Sequence, residues 1–267
     1  MSTDNNFSAV LEAFENENAY SLFVPSLKRE VKFKPLNIGH QKKLIKATID
    51  NPVFQTRFII AIYDILVENC CEDFKKLNLN IIDFNSILLQ YRKNVHGDEI
   101  TITNEGKEYK GTVSESIEKI NALEPIIEQD IVEGNICIVI KTPSLYDQYR
   151  IEKELRDGKL NDEQIINGAT NVSSSIGDAF VGEVSKYIKD LVLLKEERVS
   201  AGYSGLAFTN KHKLIEQLPS TLIKKALPII SAFTAKLNEA LTITGSTVEN
   251  ESKQVAITVD AGLFPVE

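Results

Sequence analysis

The chain has 267 residues, 43 % of them hydrophobic and 25 % charged, enough to bury a sizeable core as one large domain or two modest ones. Its formal net charge of −8 argues against a duplex-binding surface, and short basic runs such as Lys28-Arg29 and Lys211-His212-Lys213 read as solvated patches. Aromatic residues are 7 % and Trp is absent, which leaves little material for stacking sugars or bases.

Residues 1–20 are acidic, with Val10, Leu11 and Phe14 spaced as in a short amphipathic helix or a docking arm. Leu22–Phe33 alternates around Pro25-Ser26 and predicts two short strands, the second ended by Pro35. Three helices are expected next. Gly39–Asp50 carries Leu44, Ile45 and Ile49 and is stopped by Asn51-Pro52. Phe54–Asn69 repeats Phe54, Phe58, Ile62, Ile65 and Leu66 on one stripe. Asp83–Lys93 opens on Asp83 as a cap, followed by Phe84, Ile87, Leu88 and Tyr91. Such stripes serve core packing far more often than cofactor binding.

The period then changes. Glu99–Thr103 and Lys107–Val113 alternate around Asn104-Glu105-Gly106, a β-hairpin signal, with Gly97-Asp98 turning into it. Ile136–Lys141 reads as a β-branched strand ended by Thr142-Pro143, after which Ser144 and Asp147 form a capping box for a helix through Leu155. The remainder predicts mainly helix. Ile176–Leu194 places Phe180, Val184, Tyr187, Ile188 and Leu191 on one face, and Ser220 caps a helix to Leu241 that Pro228 should kink or split. Ser200–Thr209 reads as a loop, Glu249–Lys253 as a loop or linker, and Val255–Val259 as a terminal strand before the apolar Leu263-Phe264-Pro265.

Chemistry-bearing constellations are sparse. Cys70, Cys71 and Cys137 form no disulfide framework and predict reduced thiols, the adjacent pair as ordinary buried groups at a helix end. A zinc site needs about four Cys or His ligands at characteristic spacing, and Cys70-Cys71 has no second pair. His40, His96 and His212 sit in no nucleophile elbow. Asp64 and Glu68 share a helix face, which among 38 acidic residues reads as a solvated pair before a general acid and base. Gly202–Gly205 lacks the Lys and helix start of a phosphate loop. The N-terminus has no basic leader segment and no apolar run reaches the roughly 20 residues of a membrane span. No catalytic, cofactor-binding or metal-binding residue is therefore expected.

Three blocks, VPSLKREVKFKPLNIGHQKKLIKA, LNIIDFNSILLQYRKNVHGDEITI and ICIVIKTPSL, occur in an order that resembles the baseplate hub subunits of T-even-type contractile-tailed bacteriophages. VPSLKREVKFKPLNIGHQKKLIKA has that family's strand, joint and helix, with Pro25, Val31, Pro35, Lys42 or Lys43, and Leu44 filling its pattern. LNIIDFNSILLQYRKNVHGDEITI is similar to a second block through Asp83, Leu88, Arg92, Gly97 and Glu99. ICIVIKTPSL followed by a helix resembles a third, and VDAGLFPVE faintly resembles the family's ending. Many members carry a Cys pair suggestive of metal binding where this chain has Asn104-Glu105-Gly106-Lys107, so no zinc is carried over.

The resemblance implies a structural component of a tail baseplate hub, made in the host cytoplasm and built into the virion, whose partners are other baseplate and tail proteins. It implies no nucleic acid, membrane, cofactor or small-molecule substrate, and it leaves room for a homo-oligomer in a symmetric assembly. The fold class expected is α+β with a helical majority, short antiparallel hairpins and an N-terminal extended arm. Its parts are an arm over 1–20, an α+β domain over 21–143, and a mainly helical region with a terminal strand over 144–267. The arm and terminal strand are the expected contacts with neighbours. Arg92 is expected to pair with Asp83 or Glu99, and Gly97 to hold special backbone angles. The alternatives are a transient assembly chaperone and, in another class, an enzyme with a scattered site in 156–250.

Overall fold

The structure is a computed structural model that describes residues 18–49, 56–158, 181–195, 197–247 and 251–259, with positions 10, 13, 263 and 264. It is α+β with antiparallel strands, and helix outweighs strand. The chain forms two compact units, Met1–Ala122 with Glu239–Glu267, and Leu123–Asn238. The second is thus an insertion into the first.

In the first unit, β1 (Tyr20–Val24) and β2 (Arg29–Phe33) form the expected hairpin, Tyr20 opposite Phe33 and Val24 opposite Arg29. Period-2 alternation puts Leu22, Val24, Val31 and Phe33 on one buried face. Helix α1 (Ile38–Ile49) and helix α2 (Thr56–Asn69) follow. The end of α2 is tied to β2 by a Phe33–Cys70 bridge and by Cys71 N–H donating to the Lys32 carbonyl at 2.9 Å. After a single turn, α3 (Phe74–Leu77), comes α4 (Ile81–His96). It begins two residues before the expected Asp83, because Asn80 is the cap and Asp83 the reciprocal third position of a capping box.

Strands β3 (Glu99–Asn104) and β4 (Lys107–Thr112) form the second hairpin as the sequence predicts. Its two-residue turn has positive φ at both positions, Glu105 at 53° and Gly106 at 78°. Helix α5 (Val113–Asn121) follows, where no helix was expected. The last two strands, β9 (Thr242–Ser246) and β10 (Ser252–Ala256), complete a sheet of order β10-β9-β4-β3. β9 is joined to β4 where Lys110 faces Ser246. This close approach needs glycine: a Cβ at Gly245 would lie 2.7 Å from Tyr109 Cβ, and one at Gly111 3.1 Å from the Thr244 carbonyl oxygen. The terminal strand is three residues earlier than Val255–Val259, and Leu263 and Phe264 beyond it are buried.

The second unit holds a sheet of order β5-β6-β7-β8: β5 (Gln129–Glu133), β6 (Ile136–Ile140), β7 (Ile188–Leu194) and β8 (Arg198–Ser200). Helices α6 (Leu145–Gly158), α7 (Phe208–Gln217) and α8 (Ser220–Ala240, running into the first unit) complete it. The helix expected over Ile176–Leu194 is corrected: residues 181–187 are helical, but Ile188–Leu194 is a strand paired with β6. Its apolar residues satisfy helical spacing and strand pairing alike, and pairing with the β-branched Ile136–Ile140 decides between them. The loop expected over Ser200–Thr209 contains a short turn at Tyr203–Gly205 and the start of α7. α8 is not split, since Pro228 lies inside one helix. The arm residues Leu11 and Phe14, the helix start expected at Phe54, Pro265, and Glu249 and Asn250 of the expected linker lie outside the described residues, while Ser252 and Lys253 of that linker open β10.

Candidate functional site

Two polar clusters stand out, one in each unit. In the first, α4 presents a row of polar side chains to the main chain around it. Asp83 is fully buried, and its two carboxylate oxygens accept from Ser26 N–H at 2.9 Å and Asn80 N–H at 2.8 Å. One and two helical turns on, Ser86 donates to Asn121 Oδ1 at 2.7 Å, and Gln90 grips Phe23 in both directions. Phe23 N–H donates to Gln90 Oε1 and Gln90 Nε2 donates to the Phe23 carbonyl, both at 2.8 Å. Tyr91 donates its hydroxyl to the Lys34 carbonyl at 2.8 Å, and burial pushes that phenol well above its usual range.

Arg92 departs from expectation. Its guanidinium donates to the carbonyl oxygens of Gly97 at 2.8 Å and Glu99 at 3.0 Å, not to the carboxylates of Asp83 or Glu99. Burial lowers its pKa. Gly97 meets its expectation, with φ 79° and ψ −178°, a region open to glycine alone. These groups therefore splice the β1–β2 hairpin, α4 and the entry to β3 together.

In the second unit, β5 to β8 carry a depression of about 560 Å³ on one face of the sheet. Its floor is Val139 and Val192 beside the buried thiol of Cys137, whose pKa burial pushes up. Charged pairs rim it. Arg198 holds Asp130 with both terminal nitrogens, at 3.0 and 3.1 Å, and Lys189 pairs with Glu128. Asp190 accepts from Ser200 Oγ, from Leu191 N–H at 2.8 Å and from Tyr203 N–H at 3.2 Å. Burial alone would raise the Asp190 pKa, yet these donors hold it below the usual carboxylate range. Every acid here is engaged by a donor, so none of them is a base held ready for proton transfer.

The same unit holds a buried ion-pair cluster: Lys186 reaches Glu152 at 2.7 Å and Glu183 at 2.9 Å, with Lys186 and Glu152 side chains only 10 % and 9 % exposed. Desolvation alone would lower the lysine pKa, and the two carboxylates more than reverse this. Sequence spacing missed this cluster because Glu152 lies in α6, far along the chain from Glu183 and Lys186. The other sequence-level candidates are not brought together. His40 is in α1, beside Glu68 at 3.8 Å, while His96 ends α4 and His212 lies in α7 of the other unit. Cys70 is half-buried with its pKa pushed up to about 11, chiefly by burial, and Cys71 is exposed, so the pair is not the buried couple expected. Among the described residues no three His, Cys, Asp or Glu side chains are grouped to hold a metal, and no helix is long and apolar enough to cross a membrane.

Fold and geometry together define an α+β protein of two compact units in which polar side chains fasten backbone segments or one another. Over residues 17–252 the chain matches the family described as T4 bacteriophage base plate protein, and it belongs to that family. It is a structural protein of the phage baseplate. No curated protein and no solved structure matches it.

Proposed function

We propose that the chain is a permanent component of the baseplate hub of a contractile tail and acts through protein–protein interfaces during tail assembly. The observation that carries this reading is the family match over 17–252, within which two of the hub-like blocks join at α4. The order of Asp83, Arg92 and Gly97 has a physical reason in that joint, since each fixes the backbone there. Its partners are other baseplate and tail proteins, with room for a homo-oligomer, and no catalytic, cofactor-binding or metal-binding residue takes part. The N-terminal arm and the terminal strand are the contacts offered to neighbours. β10 is an edge strand of its sheet, and edge strands are ready templates for pairing with another chain. Leu263 and Phe264, being buried, belong to the chain's own core.

The test is mass spectrometry with copy-number quantification on purified, intact tails. A small integer number of copies per tail is expected. Presence only in assembly intermediates would instead make the protein a transient chaperone, and absence from both would reopen the enzyme reading. Deleting residues 1–20 is expected to reduce incorporation into baseplates; unchanged incorporation removes the arm from the interface.

A further inference from the structure

Helix α1 is buried along one side, at His40, Leu44 and Ala47, and apolar again on the side away from them. Ile38, Ile45 and Ile49 fall there within a sector of about 40° at the 3.6-residue helical repeat, and they span about 16 Å along the axis. Ile38 is 66 % and Ile49 72 % exposed in the folded chain, and Ile45 is half-buried. β-Branched side chains have few rotamers to lose, so this row gives up little entropy when it is covered.

Charge sets this face apart. Lys42, Lys43 and Lys46 are exposed, and α1 has no acidic residue. Exposed lysines elsewhere hold carboxylates: Lys107 with Glu251, Lys110 with Glu99, Lys225 with Glu133 and Lys253 with Glu105. Among the described residues no hydrogen bond or ion pair engages the three lysines of α1, although the chain has 38 acids against 30 Lys and Arg. An acidic surface matches this face. A second copy does not, because α1 laid on α1 adds lysines to lysines. A lipid surface fits poorly as well: interfacial helices carry a broad apolar face with aromatic residues, and this stripe is narrow and has none. A narrow apolar row flanked by one sign of charge is the seam of a helix pair.

We propose that α1 receives an acidic amphipathic helix of another baseplate protein, its apolar side on Ile38, Ile45 and Ile49 and its carboxylates against Lys42 and Lys46. This names a surface and a partner chemistry for the hub reading and rests on that reading. Reductive methylation, read lysine by lysine in mass spectrometry, compares the free chain with purified tails or, where the protein occurs only there, with assembly intermediates. Lys42 and Lys46 are expected to react in the free chain and to be protected several-fold in the assembly. Zero-length carbodiimide linking of the same particles should join them to Asp or Glu of a different protein. Ile38→Asp/Ile49→Asp should lower incorporation about tenfold or more. The same variant should leave urea unfolding of the free chain unchanged, because both side chains are exposed. Equal lysine reactivity in free and assembled protein, links confined to copies of this chain, or undiminished incorporation of the variant would each overturn this inference and leave the hub reading standing. Absence of the wild-type chain from tails and intermediates alike overturns both.

Discussion

Around α4 of the first unit the buried polar groups hold backbone, whereas the Lys186 cluster and the Arg198 and Lys189 pairs of the second unit hold carboxylates. Asp83, Gln90, Tyr91 and Arg92 meet the peptide groups of Ser26, Asn80, Phe23, Lys34, Gly97 and Glu99. In the second unit Lys186, Arg198, Lys189 and Lys225 meet carboxylates. A side chain bound to a peptide group fixes the path of the chain, and its partner cannot be mutated away. A charge pair can be removed whole. The two units should therefore differ in whether a second substitution rescues the first.

The largest effect is expected at Lys186. Lys186→Ala leaves Glu152 buried without its cation, and breaking a buried pair costs about 3–5 kcal/mol. Lys186→Met combined with Glu152→Leu should recover most of that stability in urea unfolding, because it removes the pair and keeps the volume. If the double variant is no better than the single, the cluster is not a self-contained pair and the contrast between the units fails.

Next comes Asp83→Ala, which strips acceptors from two N–H groups at once. Loss of the reciprocal half of the capping box with a stranded Ser26 amide should cost about 2–3 kcal/mol, measured in the same way. No second-site side-chain removal should rescue it, since the orphaned donors are main chain. Gly97→Ala isolates the backbone component. A Cβ there meets nothing within 4 Å, so the expected cost of about 1–2 kcal/mol is conformational alone. A neutral Gly97→Ala would mean that the joint between α4 and β3 relaxes easily.

This contrast also explains what the sequence discloses. The β3–β4 hairpin is legible because a two-residue turn demands positive φ and Glu105-Gly106 can supply it. The β1–β2 hairpin is legible because Leu22, Val24, Val31 and Phe33 alternate. Arg92 was assigned carboxylate partners because side chains are visible in a sequence and free carbonyls are not. β7 was read as helix because Val184, Ile188 and Leu191 keep helical spacing, while the strand that overrides it, β6, lies about fifty residues earlier. β9 escaped notice for the same reason: its place beside β4 depends on a contact across the whole inserted unit. The charged depression is assembled from β5, β7 and β8, so no local window contains it.

The smallest effect belongs to Asp190, where the two kinds of fastening meet, for its carboxylate accepts from one side chain and two peptide groups. Burial works to raise its pKa and is outweighed by these donors, so the folded value is lowered. A depressed carboxylate stabilises the fold fully above the unfolded pKa, about 3.9 for Asp, and this stabilisation is lost as pH falls through the folded value. Wild-type stability should therefore decline more steeply than that of Asp190→Asn as acid is added below about pH 4. Ser200→Ala should flatten the same slope only partly, because the Leu191 and Tyr203 amides remain. If Ser200→Ala flattens it as completely as Asp190→Asn, side-chain pairing alone governs this site. A slope indifferent to Ser200 would show instead that the backbone donors set the carboxylate.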